Sequence, residues 1–140
     1  MKKILSTVLV CVLLLGCVFT LVSCGTPNSD PAEAKAALDD AGYKADITDN
    51  PIELAFYGAI GIKSIVSGYK VAEDDEDKIL DAVSIYYLEE DADMDKAYET
   101  LEKVFNDAKS DEENKDLDFE IGKYGNMIWF GTSDAIKAAN

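Results

Sequence analysis

None of the 140 residues is histidine or arginine, and all three cysteines fall within the first 24 positions. Without histidine there is no Ser-His-Asp triad, no Cys-His pair and no imidazole metal ligand. Without arginine there is no planar two-pronged clamp for phosphate. Beyond residue 24 there is neither a thiol nucleophile nor a disulfide, so the body must fold without covalent staples. No P-loop or G-x-G-x-x-G fingerprint follows either. Paired carboxylates, lysine and tyrosine are what remain for catalysis. A glycosidase with two carboxylates fits that composition, but a domain of this size leaves little room for a sugar cleft. Repeats are also missing, since Gly42-Tyr43-Lys44 returns only as the three residues Gly68-Tyr69-Lys70.

Charge is abundant and one-sided. Thirteen lysines face 28 acids, and without Lys2 and Lys3 the remainder carries a formal −17. Such a field repels phosphate backbones, which excludes nucleic acid as an expected partner. It also repels anionic lipid head groups, so the body is expected to stand off a membrane. Peptides, divalent ions and amine-bearing wall polymers are the complementary partners, although a solubilising surface accounts for the acids equally simply. Basicity carried by lysine alone fits an AT-rich genome and hence a Gram-positive host.

The front of the chain has a separate character. Lys2 and Lys3 precede an apolar run from Ile4 to Val22, which ends in Leu21-Val22-Ser23-Cys24-Gly25. A basic head, an apolar stretch and small terminal residues mark a secretory targeting segment. Leu21-Val22-Ser23-Cys24 resembles the lipobox of bacterial lipoproteins, a family in which the cysteine thiol is acylated and the preceding segment removed. The resemblance implies lipidation at Cys24 and a place on the outer face of the cell membrane. Two alternatives stand beside it. Leu14-Leu15-Gly16-Cys17 is a second match, and the 20 residues from Ile4 to Ser23 could cross a bilayer as an uncleaved helix. All three put the body outside, because lysines lead and acids follow. Cys11 lies inside the apolar run and reads as a small hydrophobe. The expected organisation is a signal peptide over 1–23, an acylated cysteine and tether over 24–29, and one acidic domain over 30–140.

Local signals divide that domain. Asp30-Pro31-Ala32-Glu33 supplies an N-cap, a proline at the first helical position and a capping glutamate, and Gly42 supplies the stop. Tyr43 to Thr48 is expected as a brief strand. Asn50-Pro51-Ile52-Glu53 repeats the start signal ahead of Leu54, Phe56, Tyr57 and Ile60, predicting a second, short helix. Ile62 to Ala72 reads as a strand, Glu73 to Asp77 as an acidic turn, and Lys78 to Leu88 as a strand apolar on both faces and therefore central. Met94, Ala97, Tyr98, Leu101, Val104, Phe105 and Ala108 share one face of a helix starting near Asp93. Leu117, Phe119 and Ile121 alternate with polar residues, Tyr124-Gly125-Asn126 turns the chain, and Met127 to Phe130 returns. Gly131-Thr132-Ser133 opens a last helix with Ile136 inward. Short connections between strands predict an α+β fold: two layers, a mostly antiparallel sheet of about four to five strands, and helices packed on one face. The ending from Gly125-Asn126 through Trp129-Phe130-Gly131-Thr132 is similar to that of small uncharacterised lipoproteins of Gram-positive bacteria. That likeness implies no activity.

Three constellations are candidates for function. Asp91-x-Asp93-x-Asp95, with Glu102 at the twelfth position, follows the acidic spacing of an EF-hand loop, but Lys96 occupies the sixth position where that loop requires glycine. Helix capping and complementing the helix dipole explain the same acids. A weaker calcium site could draw on Glu89, Glu90, Asp91 and Asp93. The second constellation, Glu73 to Asp77, is ordinarily a solvated turn. The third joins Phe56 and Tyr57, beside Gly58 and Gly61, with Tyr86, Tyr124 and Trp129 as a partner surface, for which core packing is the competing explanation. Trp129 stands out, because Ile128 and Phe130 point to the opposite face of their strand. The resulting expectation is a non-catalytic, lipid-anchored binding module that needs no cofactor. Its partners would be the membrane through the anchor, and a protein, peptide or cationic wall component. A calcium- or cation-dependent module is the runner-up, and a carboxylate hydrolase comes third.

Overall fold

The computed structural model describes residues 25–140. Its core is a five-stranded, wholly antiparallel sheet in the order β1-β2-β3-β5-β4. The strands are β1 (Lys44–Thr48), β2 (Ile62–Val71), β3 (Ile79–Leu88), β4 (Phe119–Tyr124) and β5 (Met127–Thr132). Among the described residues three α-helices accompany them, α1 (Pro31–Asp40), α2 (Met94–Lys109) and α3 (Ser133–Ala138). The α+β class and the central place of β3 follow the sequence expectation.

The layering does not. Val83, Ile85 and Tyr87 of β3 cluster with Met127 and Trp129 of β5 against α1 and α3, through Ala34, Leu38, Ala135 and Ile136. The alternate residues Tyr86, Leu88 and Ile128 cluster instead with Ala97, Leu101 and Phe105 of α2. Helices therefore cover both faces, and the domain has three layers rather than two. The two central strands carry apolar residues at consecutive positions, and a strand with two apolar faces needs a helix on each. A register shift between Ile62 and Ser64 puts Ile62 and Ile65 in the α2-side cluster despite their odd spacing.

Local chemistry sets the helix ends. The Asp30 carboxylate accepts the N–H groups of Ala32 and Glu33 at 2.8 and 3.2 Å, a cap that contributes about 1 kcal/mol. The return bond expected from Glu33 is replaced: the Asp30 N–H donates to Asn28 Oδ1 at 2.9 Å. At the other end Gly42 has φ +86°, its N–H reaches the Asp39 carbonyl, and the Tyr43 N–H reaches the Leu38 carbonyl. Those two bonds form a Schellman motif, with buried Tyr43 and Leu38 as its apolar contact. Asp93 caps α2 through the Lys96 N–H. The helix expected after Asn50 is absent. Pro51 to Tyr57 forms successive turns, ending in a single 3₁₀ turn from Gly58 to Ile60, because the glycines there do not sustain an α-helix.

Candidate functional site

The register gives the sheet two distinct ends. Thr48 faces Ile65, Ile62 faces Leu88, Tyr87 faces Met127 and Tyr124 faces Met127. The loops 49–61, 89–93 and 125–126 therefore gather at one end. The β2–β3 loop, the start of β1, the α2–β4 link and the start of α3 gather at the other.

The second end holds a cleft of about 830 Å³. Its apolar lining is Ile79, Leu80 and Leu117, and its carboxylates are Asp77, Glu113 and Asp116, with Lys78 and Asn114 completing the wall. Ile79 and Leu80 are 43% and 45% exposed, which is unusual for residues inside a sheet strand. They remain exposed because β5 pairs with β3 only from Val83 onward, so the first residues of β3 extend past their neighbour. Gly131 is the last residue of β5 in register with β3, packed so closely that a Cβ there would lie 2.6 Å from the Ala82 carbonyl oxygen. Thr132 ends β5 and donates its hydroxyl to Asp81 at 2.9 Å. Nearby, burial raises the Tyr43 phenol above its ordinary value, and the Asp81 and Asp134 carboxylates add to the effect. The Lys70 ammonium lies 4.5 Å from the centre of the Tyr43 ring.

The acidic run Glu73 to Asp77 adjoins this cleft, and all five residues are exposed. Asp75 organises the loop, accepting the Asp77 N–H on its side chain and the Lys78 N–H on its carbonyl. Only Asp77 of the run lines the cleft. The sequence reading missed Ile79, Leu80 and Leu117 as a site. Ile79 and Leu80 look like any central-strand residues, and no local signal reports where the neighbouring strand stops.

The other candidates are dispersed. Asp91, Asp93 and Asp95 are all exposed. Asp93 is engaged as the cap of α2, and Asp95 pairs with Lys123 at 3.2 Å. Among the described residues, no group of three or more acidic side chains is placed to hold a metal ion. Asp91 and Asp93 do line a smaller cleft of about 330 Å³ with Gly58 to Gly61, Ala92 and Lys96. The aromatic set divides. Trp129 is only 7% exposed and belongs to the core beneath α1 and α3, so its expected place on a partner surface is corrected. Phe56 and Tyr124 are 80% and 68% exposed. Tyr57 is half-buried and links Phe56 to Tyr86, with ring centroids 5.3 and 5.9 Å apart. Stacking continues through Phe105 and Phe130 to Phe119, an aromatic row along the α2 face.

Cys24 and the apolar run before it lie outside the described residues, as does Cys17. No described helix is long and apolar enough to cross a membrane. No family model matches the chain, and neither a curated protein nor a solved structure matches it significantly.

Proposed function

We propose that this chain is a lipid-anchored, extracytoplasmic, non-catalytic binding module whose cleft takes a cationic peptide segment with apolar side chains. The observation that carries this reading is the pairing of half-exposed Ile79 and Leu80 with Asp77, Glu113 and Asp116 around one cleft. Apolar lining supplies affinity by surface burial, at about 25 cal/mol per Å², and carboxylates at the rim select positive charge and speed encounter. The uncovered edge of β3 offers main-chain groups to an extended segment, which would bind as an added strand. The formal charge of the chain, −15 in all, draws such a ligand from a distance. Anchoring at Cys24 rests on the lipobox resemblance and on the lysine-led apolar run.

Titration with two peptides tests the reading, one alternating lysine and leucine and the other alternating glutamate and leucine. The lysine peptide should bind and perturb Ile79, Leu80 and Leu117 resonances, weakening as salt shortens the Debye length below about 10 Å. Leu80→Asn should weaken it several-fold, and Asp116→Lys should reduce its salt dependence. Equal binding of both peptides, or binding indifferent to Leu80→Asn, sinks the cleft assignment.

A further inference from the structure

The stretch expected to be a tether is docked onto the domain. The Asn28 N–H donates to the Ala139 carbonyl at 2.8 Å, and the Asn28 carbonyl accepts the Tyr87 hydroxyl at 2.8 Å. The Thr26 carbonyl accepts from Asn140 Nδ2 at 2.8 Å, and Pro27 between them is buried. Only Gly25 separates this pinned segment from Cys24. Two residues reach about 7 Å when fully extended, so a lipid on Cys24 would hold the domain against the bilayer at one place.

That place is the end of the sheet marked by the Tyr87–Met127 pair, since Tyr87 holds Asn28 there. The same end displays Ile52 and Phe56 from the loop before β2 and Tyr124 from the edge strand β4, the three most exposed large apolar side chains described. Apolar and aromatic side chains of this kind favour the membrane–water interface. Glu53, Glu89, Glu90 and Asp91 stand at this end too, so attraction to anionic lipid does not drive the contact. A covalent tether does not need it to, because it supplies a high effective concentration and leaves weak apolar contacts to choose the orientation. Resting on the lipidation reading, we infer that Ile52, Phe56 and Tyr124 form a membrane-facing surface. The domain stands on the bilayer by that end, and the acidic cleft and the Glu73 to Asp77 loop point outward.

Full-length chain is produced in a bacterial host that acylates lipoproteins and reconstituted in vesicles of phosphatidylglycerol and phosphatidylethanolamine. Mass spectrometry first establishes whether Cys24 carries the lipid. If it does, the mature chain has no other thiol, and Ala55→Cys or Asp75→Cys takes a single bimane label. Nitroxide lipids should quench the label at position 55 several-fold more than at position 75. Ile52→Ser with Phe56→Ser should bring the two values together while acylation and circular dichroism stay unchanged. With Cys24 acylated, equal quenching at both positions overturns the membrane-facing surface and leaves the anchor standing, as does quenching at 55 that ignores the two serines. An unacylated Cys24 overturns the Cys24 anchor and, with it, the membrane-facing surface argued from it.

Discussion

The indole of Trp129 lies directly over Gly122 of the neighbouring strand. The two residues are register partners, and a Cβ built on Gly122 would come within 2.5 Å of the ring. β4 is an edge strand, and the missing side chain there lets the largest residue of β5 lie flat while staying in the core. An aromatic ring covering a strand glycine on a neighbouring strand protects a backbone position that is otherwise open to water.

Gly122→Ala should therefore push the indole out of place. The expected cost is about 1–3 kcal/mol, as for other overpacked cores, read from the urea midpoint at unchanged m-value. Trp129 is the single tryptophan, so its emission should also shift to the red. A native spectrum with native stability would show that the ring can move aside freely.

Tyr86 makes stability sensitive to alkali. Burial pushes its phenol up to about 12 from an ordinary 10, with the Tyr57 phenol adding and the Ser84 hydroxyl opposing. The folded state keeps this proton to higher pH than the unfolded state, so stability is intact below about pH 10 and falls as pH rises towards 12. A two-unit difference corresponds to about 2–3 kcal/mol. Burial raises Tyr87 as well, and Asp30 adds to that shift. Tyr86→Phe should flatten the alkaline limb of a stability–pH curve and leave the neutral region nearly unchanged. An unaltered limb would assign the effect to other groups.

Asp93 acts as a cap, and its removal should behave accordingly. Asp93→Ala should cost about 1 kcal/mol, and Asp93→Asn or Asp93→Ser should recover most of it. Millimolar calcium should move the midpoint of the native protein no further than magnesium does. A saturable rise specific to calcium would instead mean that the turn rearranges around an ion, since ligand binding stabilises by RT ln(1 + [L]/Kd).

Tyr87→Phe should release the segment Thr26 to Asn28 while leaving the core in place. Loss of one buried hydrogen bond costs about 1 kcal/mol. The Asn28 amide, which donates to Ala139, should exchange faster in hydrogen-exchange measurements than the amides of β3. Equal protection of Asn28 in both proteins would show that the Asn140 and Ala139 contacts suffice to hold it.

Reading the chain alone located most elements, because their determinants are neighbours in sequence. Asp30 and Asp93 cap helices through bonds spanning two or three residues. The 3.6-residue stripe of α2 and the alternation in β4 are geometric consequences of single elements. The stretch after Asn50 misled, since it carries a good start signal and then glycines that end the helix before it forms. Val104 misled in a smaller way, belonging to the α2 stripe by spacing yet remaining exposed at its border.

Charge, capping, periodicity and a central strand with two apolar faces are local, additive properties, set by residues close together in the chain. Tertiary structure alone decided which helix covers each face, why Trp129 is buried while Phe56 and Tyr124 are not, and where β5 stops short of Ile79 and Leu80. It also decided that Thr26 to Asn28 docks on Ala139, Asn140 and Tyr87. Those outcomes depend on pairs such as Tyr87–Met127, Tyr87–Asn28 and Thr26–Asn140, which are 40, 59 and 114 positions apart, and burial is a property of such pairs. Periodicity tells a residue which way to point, and only packing tells it whether anything is there.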